Sequence, residues 1–297
     1  MKKVIALLLC LTLVAAVTAV AVAEVSPVVA EKAMAYFTNY DGAKVVIKPA
    51  DLFAKMDAGE EMLILDIRQA DAYAEGHLKG AVNVPFGMAI PEMLKNIPDD
   101  VQLYVYCYTG QTASQTTALL NVAGRFAANV QSGFNNGIKA VEGYEAYVTT
   151  DVATLPDETY DVDPDVQAAL TAYYTDMVSK ADTLFKNNNF APESLKEVLD
   201  AELDDYFVYS VRQAVDYAAG HIKGAVNNPY GAGMEQNFAA QLPMDKKIIV
   251  YCYSGQTASQ TIAILRLLGY DAYNLSGGMG KVDGSGWLGA GYEVVTE

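Results

Sequence analysis

Short runs in which nearly every position is apolar recur along this chain, each followed by a stretch with helical periodicity. Met62 to Asp66 (MLILD), Leu103 to Tyr106, Tyr206 to Ser210 (YFVYS) and Ile248 to Tyr251 are such runs. A strand buried on both faces does not alternate polar with apolar, so unbroken runs of this length predict interior strands of parallel sheets. Between them, Ala70 to Glu75 and Ala214 to Ala219 predict short helices. Longer helices are predicted from Thr112 and Thr257, read as N-cap residues, to stops at Gly124 and Gly269. Strands alternating with helices predict an α/β fold, its mainly parallel sheets flanked by helices.

The pattern occurs twice. Ile67 to Phe86 matches Val211 to Tyr230 at 13 of 20 positions with a constant offset of 144. Upstream, Ala35 to Asn39 (AYFTN) parallels Ala172 to Asp176 (AYYTD), each in a helix-like stretch, so the repeated unit is a leader helix followed by an α/β domain. Between the copies, Asp151 to Asp165 (DVATLPDETYDVDPD) carries six acidic residues and two prolines with no Lys or Arg, and reads as an exposed linker. Its D-x-D-x-D spacing does not complete a calcium loop, because Val166 and Ala172 stand where the turn glycine and the bidentate Glu belong.

The N-terminus has its own pattern. Lys2 and Lys3 precede an apolar run from Val4 to Val22, and Ala21-Val22-Ala23 supplies an A-x-A box before Glu24. Residues 1–23 therefore read as a cleaved secretory signal peptide, which implies export to a periplasm or the cell exterior. The rival is an uncleaved anchor, since the run approaches the roughly 20 residues that span a bilayer. Leu9 before Cys10 argues against a lipid-anchored cysteine. Cleavage removes Lys2 and Lys3 and takes the formal charge from -16 to -18, which leaves nucleic acid and anionic membrane surfaces as poor partners and implies no stable membrane insertion.

Of three cysteines, only Cys107 and Cys252 lie outside that segment, in the near-identical stretches YCYTGQTASQT (Tyr106 to Thr116) and YCYSGQTASQT (Tyr251 to Thr261). The two histidines are duplicated as well, His77 in GHLKGAVN and His221 in GHIKGAVN. Each cysteine follows a strand, and ligands of such sheets bind outside the strands' carboxyl ends. Tyr108, Thr109, Gly110, Gln111 and Thr112, like Tyr253, Ser254, Gly255, Gln256 and Thr257, must curl before a helix begins. A turn of that kind directs backbone N–H groups inward as an anion nest, with Gly110 and Gly255 suited to positive φ. Nest and helix N-terminus together favour negative charge on sulfur. A disulfide between the two is the alternative in an exported protein, but it needs Cα atoms within about 7 Å and each cysteine opens its own repeat's loop. Isolated cysteines without C-x-x-C spacing or nearby histidines make no zinc site, and no metal or cofactor is implied.

The strand ending LDIR, the segment GHLKGAVN and the loop CYTGQTA, in this order, resemble the rhodanese domain. Copy one carries all three elements of that resemblance, as Asp66 with Arg68, Gly76 to Ala81, and Cys107 to Thr112. Copy two carries Arg212, Gly220 to Ala225 and Cys252 to Thr257, with Ser210 in place of the expected Asp. The resemblance implies two tandem rhodanese-like domains, 45–150 and 185–297; the repeat pattern itself leaves a leader helix in 24–44 and the acidic linker plus second leader helix in 151–184.

It further implies sulfur transfer, with Cys107 and Cys252 as catalytic nucleophiles and the loop residues named above as the substrate-binding ring. A thiolate takes sulfane sulfur from a donor (polysulfide, persulfide or thiosulfate), becomes a persulfide and passes the sulfur to an acceptor: a thiol, a cyanide-like nucleophile or a protein. The residues meet those needs independently, since a covalent intermediate requires an activated nucleophile and a ring of N–H groups stabilises a charged persulfide. The loops contain no basic side chain, which makes anionic thiosulfate a poor donor and polysulfide or persulfide at least as suitable. Phosphatase chemistry is excluded, because Ala113 and Ala258 occupy the place of the arginine that clamps an oxyanion. The histidines read as structural. Arg68 and Arg212 keep two roles open, pairing with a carboxylate or attracting an anionic donor. Two other functions remain: a non-catalytic module that delivers sulfane sulfur to a partner enzyme, and a structural duplicate with inert cysteines.

Overall fold

The structure, a computed structural model, describes residues 25–39, 41 and 45–296. The expected signal peptide at 1–23, its rival anchor and Cys10 lie outside the described residues. Among the described residues no helix is long and apolar enough to cross a membrane.

The first repeat runs α1 (Pro27–Thr38), β1 (Val46–Ile47), α2 (Pro49–Asp57), β2 (Met62–Asp66), α3 (Ala70–Glu75), β3 (His77–Leu78), β4 (Ala81–Asn83), α4 (Ala89–Met93), β5 (Gln102–Tyr106), α5 (Gln111–Val122), β6 (Phe126–Val130) and β7 (Val148–Thr149). The second runs α6 (Pro164–Ser179), β8 (Asn189–Phe190), α7 (Pro192–Asp200), β9 (Tyr206–Ser210), α8 (Ala214–Ala219), β10 (Val226–Asn227), α9 (Phe238–Gln241), β11 (Lys247–Tyr251), α10 (Gln256–Leu267), β12 (Ala272–Leu275) and α11 (Gly286–Gly289). Prolines open both leader helices, α1 and α6, where the missing N–H is one the first turn leaves unpaired in any case.

Each repeat builds one five-stranded, wholly parallel sheet. The orders are β1-β6-β5-β2-β4 and β8-β12-β11-β9-β10, the same topology strand for strand. The predicted α/β class with parallel sheets flanked by helices is what forms. Register sets Asp66 beside Tyr106 and Ser210 beside Tyr251, one residue short of each cysteine. β3 pairs antiparallel with β7, and the second repeat keeps one antiparallel bridge, His221 with Val295.

The inner faces of the two sheets share a single core. It joins Leu65, Val105 and Leu119 of the first repeat to Tyr209, Val250 and Ile262 of the second, with Phe37 of α1 and Tyr174 of α6 packed into it. Smaller cores lie under the outer faces, around Phe53 and Tyr104 in one repeat and Phe190 and Trp287 in the other. Helices α5 and α10 meet in the seam between the repeats and are buried on almost every side, their Ser, Thr and Gln positions included.

Two local expectations change. The long helices begin at Gln111 and Gln256, with Gly110 (φ 89°) and Gly255 (φ 81°) as left-handed N-cap residues, so Thr112 and Thr257 sit inside the first turn. In the first repeat the Ala113 N–H, which a side-chain cap would take, faces the Cys107 sulfur instead at 3.4 Å. The acidic linker is mostly exposed, as expected, yet it is tied to the first repeat: Ala153 bridges to Val82, and Tyr160 N–H donates to the Lys95 carbonyl at 2.7 Å. Within its D-x-D-x-D spacing, Asp163 caps α6 by accepting the N–H groups of Asp165 (2.9 Å) and Val166 (3.3 Å).

Candidate active site

Strand β5 carries LYVY into the interior and ends one residue before Cys107; β11 does the same for Cys252. Both thiols are free and only 2% exposed. The Cys107 Sγ accepts the N–H of Gly110 at 3.1 Å and of Ala113 at 3.4 Å, and the Cys252 Sγ accepts the N–H of Gly255 at 3.1 Å. These donors belong to the curled loop and to the first turn of α5, where helix dipole and unpaired N–H groups both favour an anion.

A second turn backs each loop. Phe134 N–H donates to the Cys107 carbonyl (2.8 Å) and Asn135 N–H to that of Tyr108 (2.9 Å); Met279 and Gly280 repeat this at Cys252 and Tyr253, at 2.8 and 2.9 Å. Gly133 (φ +63°) and Gly278 (φ +61°) press so closely that a Cβ there would stand 2.5 Å from the Cys107 carbonyl and 2.6 Å from that of Cys252. Sequence reasoning missed these turns. Their signal was present, as Ser132-Gly133 and Ser276-Gly277-Gly278 directly after a strand.

Tyr108 and Tyr253 are the exposed edges of the loops. The Tyr108 hydroxyl accepts the N–H of Gln69 at 3.3 Å. That of Tyr253 accepts the N–H of Gln213 at 3.1 Å and donates to the Asp216 carboxylate. Burial and that carboxylate hold the Tyr253 hydroxyl above its ordinary pKa. Cys107 opens into a cavity of about 250 Å³ whose walls include Ile67, Gln69, Phe86, Tyr108 and Thr112, together with Asn187 and Asn189 of the second repeat; none of its lining side chains is charged. Thr109 and Ser254 lie on the wall of a larger cleft of about 510 Å³ between the repeats. Gln111 also lines the Cys107 cavity, both Gln111 and Gln256 line the larger cleft, and each sends its side-chain oxygen across the seam to the opposite repeat.

Arg68 and Asp66 form a buried pair. The guanidinium donates through Nε at 3.0 and 3.1 Å and through Nη2 at 2.6 Å, and its backbone N–H reaches the same carboxylate at 2.9 Å. Burial works against the Arg68 charge, but the Asp66 bonds outweigh it and hold the guanidinium above its ordinary value. Arg68 also donates to the Gly76 carbonyl (2.7 Å) and lies over the Phe134 ring at 3.9 Å, so of its two open roles it takes the structural one. Arg212, opposite Ser210, donates to the carbonyls of Gly220 (2.7 Å) and Asp216 (2.9 Å) and sits 5.3 Å from the Tyr253 ring centre. His77 is stacked on Tyr73, with its ring nitrogens facing the carbonyls of Tyr73 (2.8 Å) and Asp151 (2.9 Å); His221 is stacked on Tyr217.

Comparison with known proteins agrees with this arrangement. The family described as the Rhodanese-like domain matches residues 49–148 and 191–284. The "Putative thiosulfate sulfurtransferase SseB" of Mycobacterium tuberculosis is 27% identical over 271 residues, 77% of this chain and 90% of that protein. "Thiosulfate sulfurtransferase GlpE" of Pseudomonas entomophila is 29% identical over 91 residues, 31% of this chain and 74% of that protein. Among solved structures, a thiosulfate sulfurtransferase from Pseudomonas aeruginosa aligns at 21% identity with a TM-score of 0.33, over 84% of this chain and 46% of that one. The chain belongs to the rhodanese-like domain family, and carries that domain twice.

Proposed function

We propose that this chain is an exported sulfurtransferase that moves sulfane sulfur through persulfides on Cys107 and Cys252. The thiolate attacks the outer sulfur of a persulfide or polysulfide donor, the donor's S–S bond breaks, and the donor leaves as a thiolate or shortened polysulfide. The acceptor, a thiol, a cyanide-like nucleophile or a protein, then attacks the outer sulfur of the cysteine persulfide and restores the thiolate. One observation carries this reading: each sulfur lies at the carboxyl end of a central strand and accepts the N–H of its loop glycine at 3.1 Å, joined at Cys107 by that of Ala113 at 3.4 Å. Such preorganised donors stabilise a charged persulfide in both halves of the reaction.

The uncharged mouth above Cys107 supports polysulfide or persulfide donors ahead of thiosulfate. Export rests on the pattern of residues 1–23. Near-complete burial of both sulfurs equally suits a carrier that holds sulfur for a partner enzyme. The test is intact mass spectrometry of the mature chain after polysulfide or thiosulfate, repeated on Cys107→Ser and Cys252→Ser. The expected result is one added sulfur per intact cysteine, discharged catalytically by cyanide. Loading without turnover favours the carrier, and thiols that take no sulfur from any donor reject both.

A further inference from the structure

Gln111 and Gln256 open α5 and α10, beside the sulfurs of their own repeats. Their side-chain oxygens serve the opposite ones, while the Gln256 Nε2 also donates to the Ser254 hydroxyl of its own loop at 3.0 Å. The Gln256 Oε1 accepts the backbone N–H of Ser132 at 2.8 Å and the side-chain amide of Asn129 at 3.0 Å. The Gln111 Oε1 accepts the N–H of Gly277 at 3.1 Å and the amide of Asn274 at 2.9 Å. Each oxygen also rests against the loop glycine opposite: a Cβ on Gly110 would stand 2.6 Å from Gln256 Oε1, and one on Gly255 2.5 Å from Gln111 Oε1. Gly110 and Gly255 are the residues whose N–H groups reach Cys107 and Cys252.

The same oxygens fix the turns behind those loops. Ser132 precedes Gly133, where a Cβ would come within 2.8 Å of the Thr109 nitrogen and 2.7 Å of the Gly110 nitrogen. Gly277 precedes Gly278, where the corresponding distances to Ser254 and Gly255 are 2.9 and 2.8 Å. A side chain from one repeat thus braces the front and the back of the other repeat's nest.

We infer that Gln256 is a positioning residue for Cys107 and Gln111 for Cys252, so the two sulfur sites are coupled crosswise through the seam. The inference rests on both cysteines being the reacting atoms. Removing the Gln256 oxygen takes the acceptor from the Ser132 N–H and the Asn129 amide, and removing that of Gln111 takes it from the Gly277 N–H and leaves the Asn274 amide with Asn189 alone, a cost the turn relieves by moving. That movement opens the N–H ring of the opposite sulfur. Gly110 faces Gln256, which opens the helix beside Cys252, and Gly255 faces Gln111, which opens the helix beside Cys107, so a shift in either loop bears on the other.

The experiment uses the full chain with Gln256→Met and Gln111→Met, which keep the side-chain length and lose the acceptor. Iodoacetamide alkylation of each cysteine at neutral pH is followed by peptide mass spectrometry. Gln256→Met is expected to slow Cys107 about tenfold, the factor that a 1.4 kcal/mol change gives, with a much smaller effect on Cys252. Gln111→Met is expected to do the reverse. The cysteine of the same repeat is an internal control, because unfolding exposes both and speeds both. Should a methionine variant unfold, Gln256→Glu and Gln111→Glu, which retain an acceptor oxygen, carry the same comparison, and the larger change must again fall on the opposite cysteine. Equal effects on both cysteines, or a larger effect within the same repeat, overturn the coupling. Wild-type cysteines that neither alkylate nor take up sulfur would instead reject the sulfurtransferase reading beneath it.

Discussion

Replacing Asp66 by Ser gives the first repeat the residue that the second has at Ser210, and tests what the buried pair contributes. Asp66 is 0% exposed and the Arg68 side chain 4%. Removing one member of such a pair leaves a charge buried without compensation, at a cost of about 3–5 kcal/mol. The second repeat shows how much of this can be relieved, since Arg212 without a carboxylate finds the carbonyls of Gly220 and Asp216. Arg68 already holds Gly76, the counterpart of Gly220, so one further carbonyl is within its means and the lower end of the range applies. Asp66→Ser is expected to cost about 3 kcal/mol, measured as the shift in urea midpoint at constant slope. Because the repeats share one core, circular dichroism and the fluorescence of Trp287, the single tryptophan, which lies in the second repeat, should report the same transition. Asp66→Ser/Arg68→Leu should recover most of the loss, since no charge is then left buried. A single variant costing under about 1 kcal/mol, the value of an exposed pair, would refute the reasoning. So would a double variant no more stable than the single.

Two more outcomes follow from the geometry. Gly133→Ala forces a side chain into left-handed backbone, at about 1–2 kcal/mol, and drives a Cβ to 2.5 Å from the Cys107 carbonyl; sulfur loading should be lost at Cys107 and kept at Cys252, as read by mass spectrometry. Tyr106, Tyr173, Tyr174, Tyr209 and Tyr251 are held above their ordinary pKa chiefly by burial. Their unfolded forms ionise near pH 10, so the stability they give is complete below that pH and falls above it, by up to about 1.4 kcal/mol per pH unit for each. The share of the tyrosinate absorbance that comes from these five of the 20 tyrosines should therefore appear only with the loss of circular dichroism above pH 10, and all 20 titrating normally in a folded protein would contradict this.

Strands and short helices were legible because their signals are local. Met62–Asp66, Tyr206–Ser210, Ala70–Glu75 and Ala214–Ala219 form over the residues that their apolar runs and spacing indicate. The curl after each cysteine was legible for a similar reason, since Gly110 and Gly255 mark positive φ. The seam was not, because its contacts join residues far apart in sequence. Gln111 and Gln256 read as members of a substrate ring when only their neighbours in the chain are considered, and the tie from Gln115 to Tyr173 (2.7 Å) carries no mark in either segment. Near-identity of YCYTGQTASQT and YCYSGQTASQT therefore has two sources. Cysteine and glycine serve sulfur, whereas the glutamines, serines and threonines that follow are buried where the two repeats meet.

That contact has the form of an isologous interface, in which the same patch on two bodies is complementary to itself. Each repeat holds both halves of the bond, the glutamine that reaches out and the turn that receives one, as the subunits of a twofold homodimer do. Here the halves are joined by a covalent tether, so their meeting depends on the effective concentration set by the linker and not on how much protein is present. The chain keeps both halves of the interface together at dilutions where a pair of free repeats would come apart.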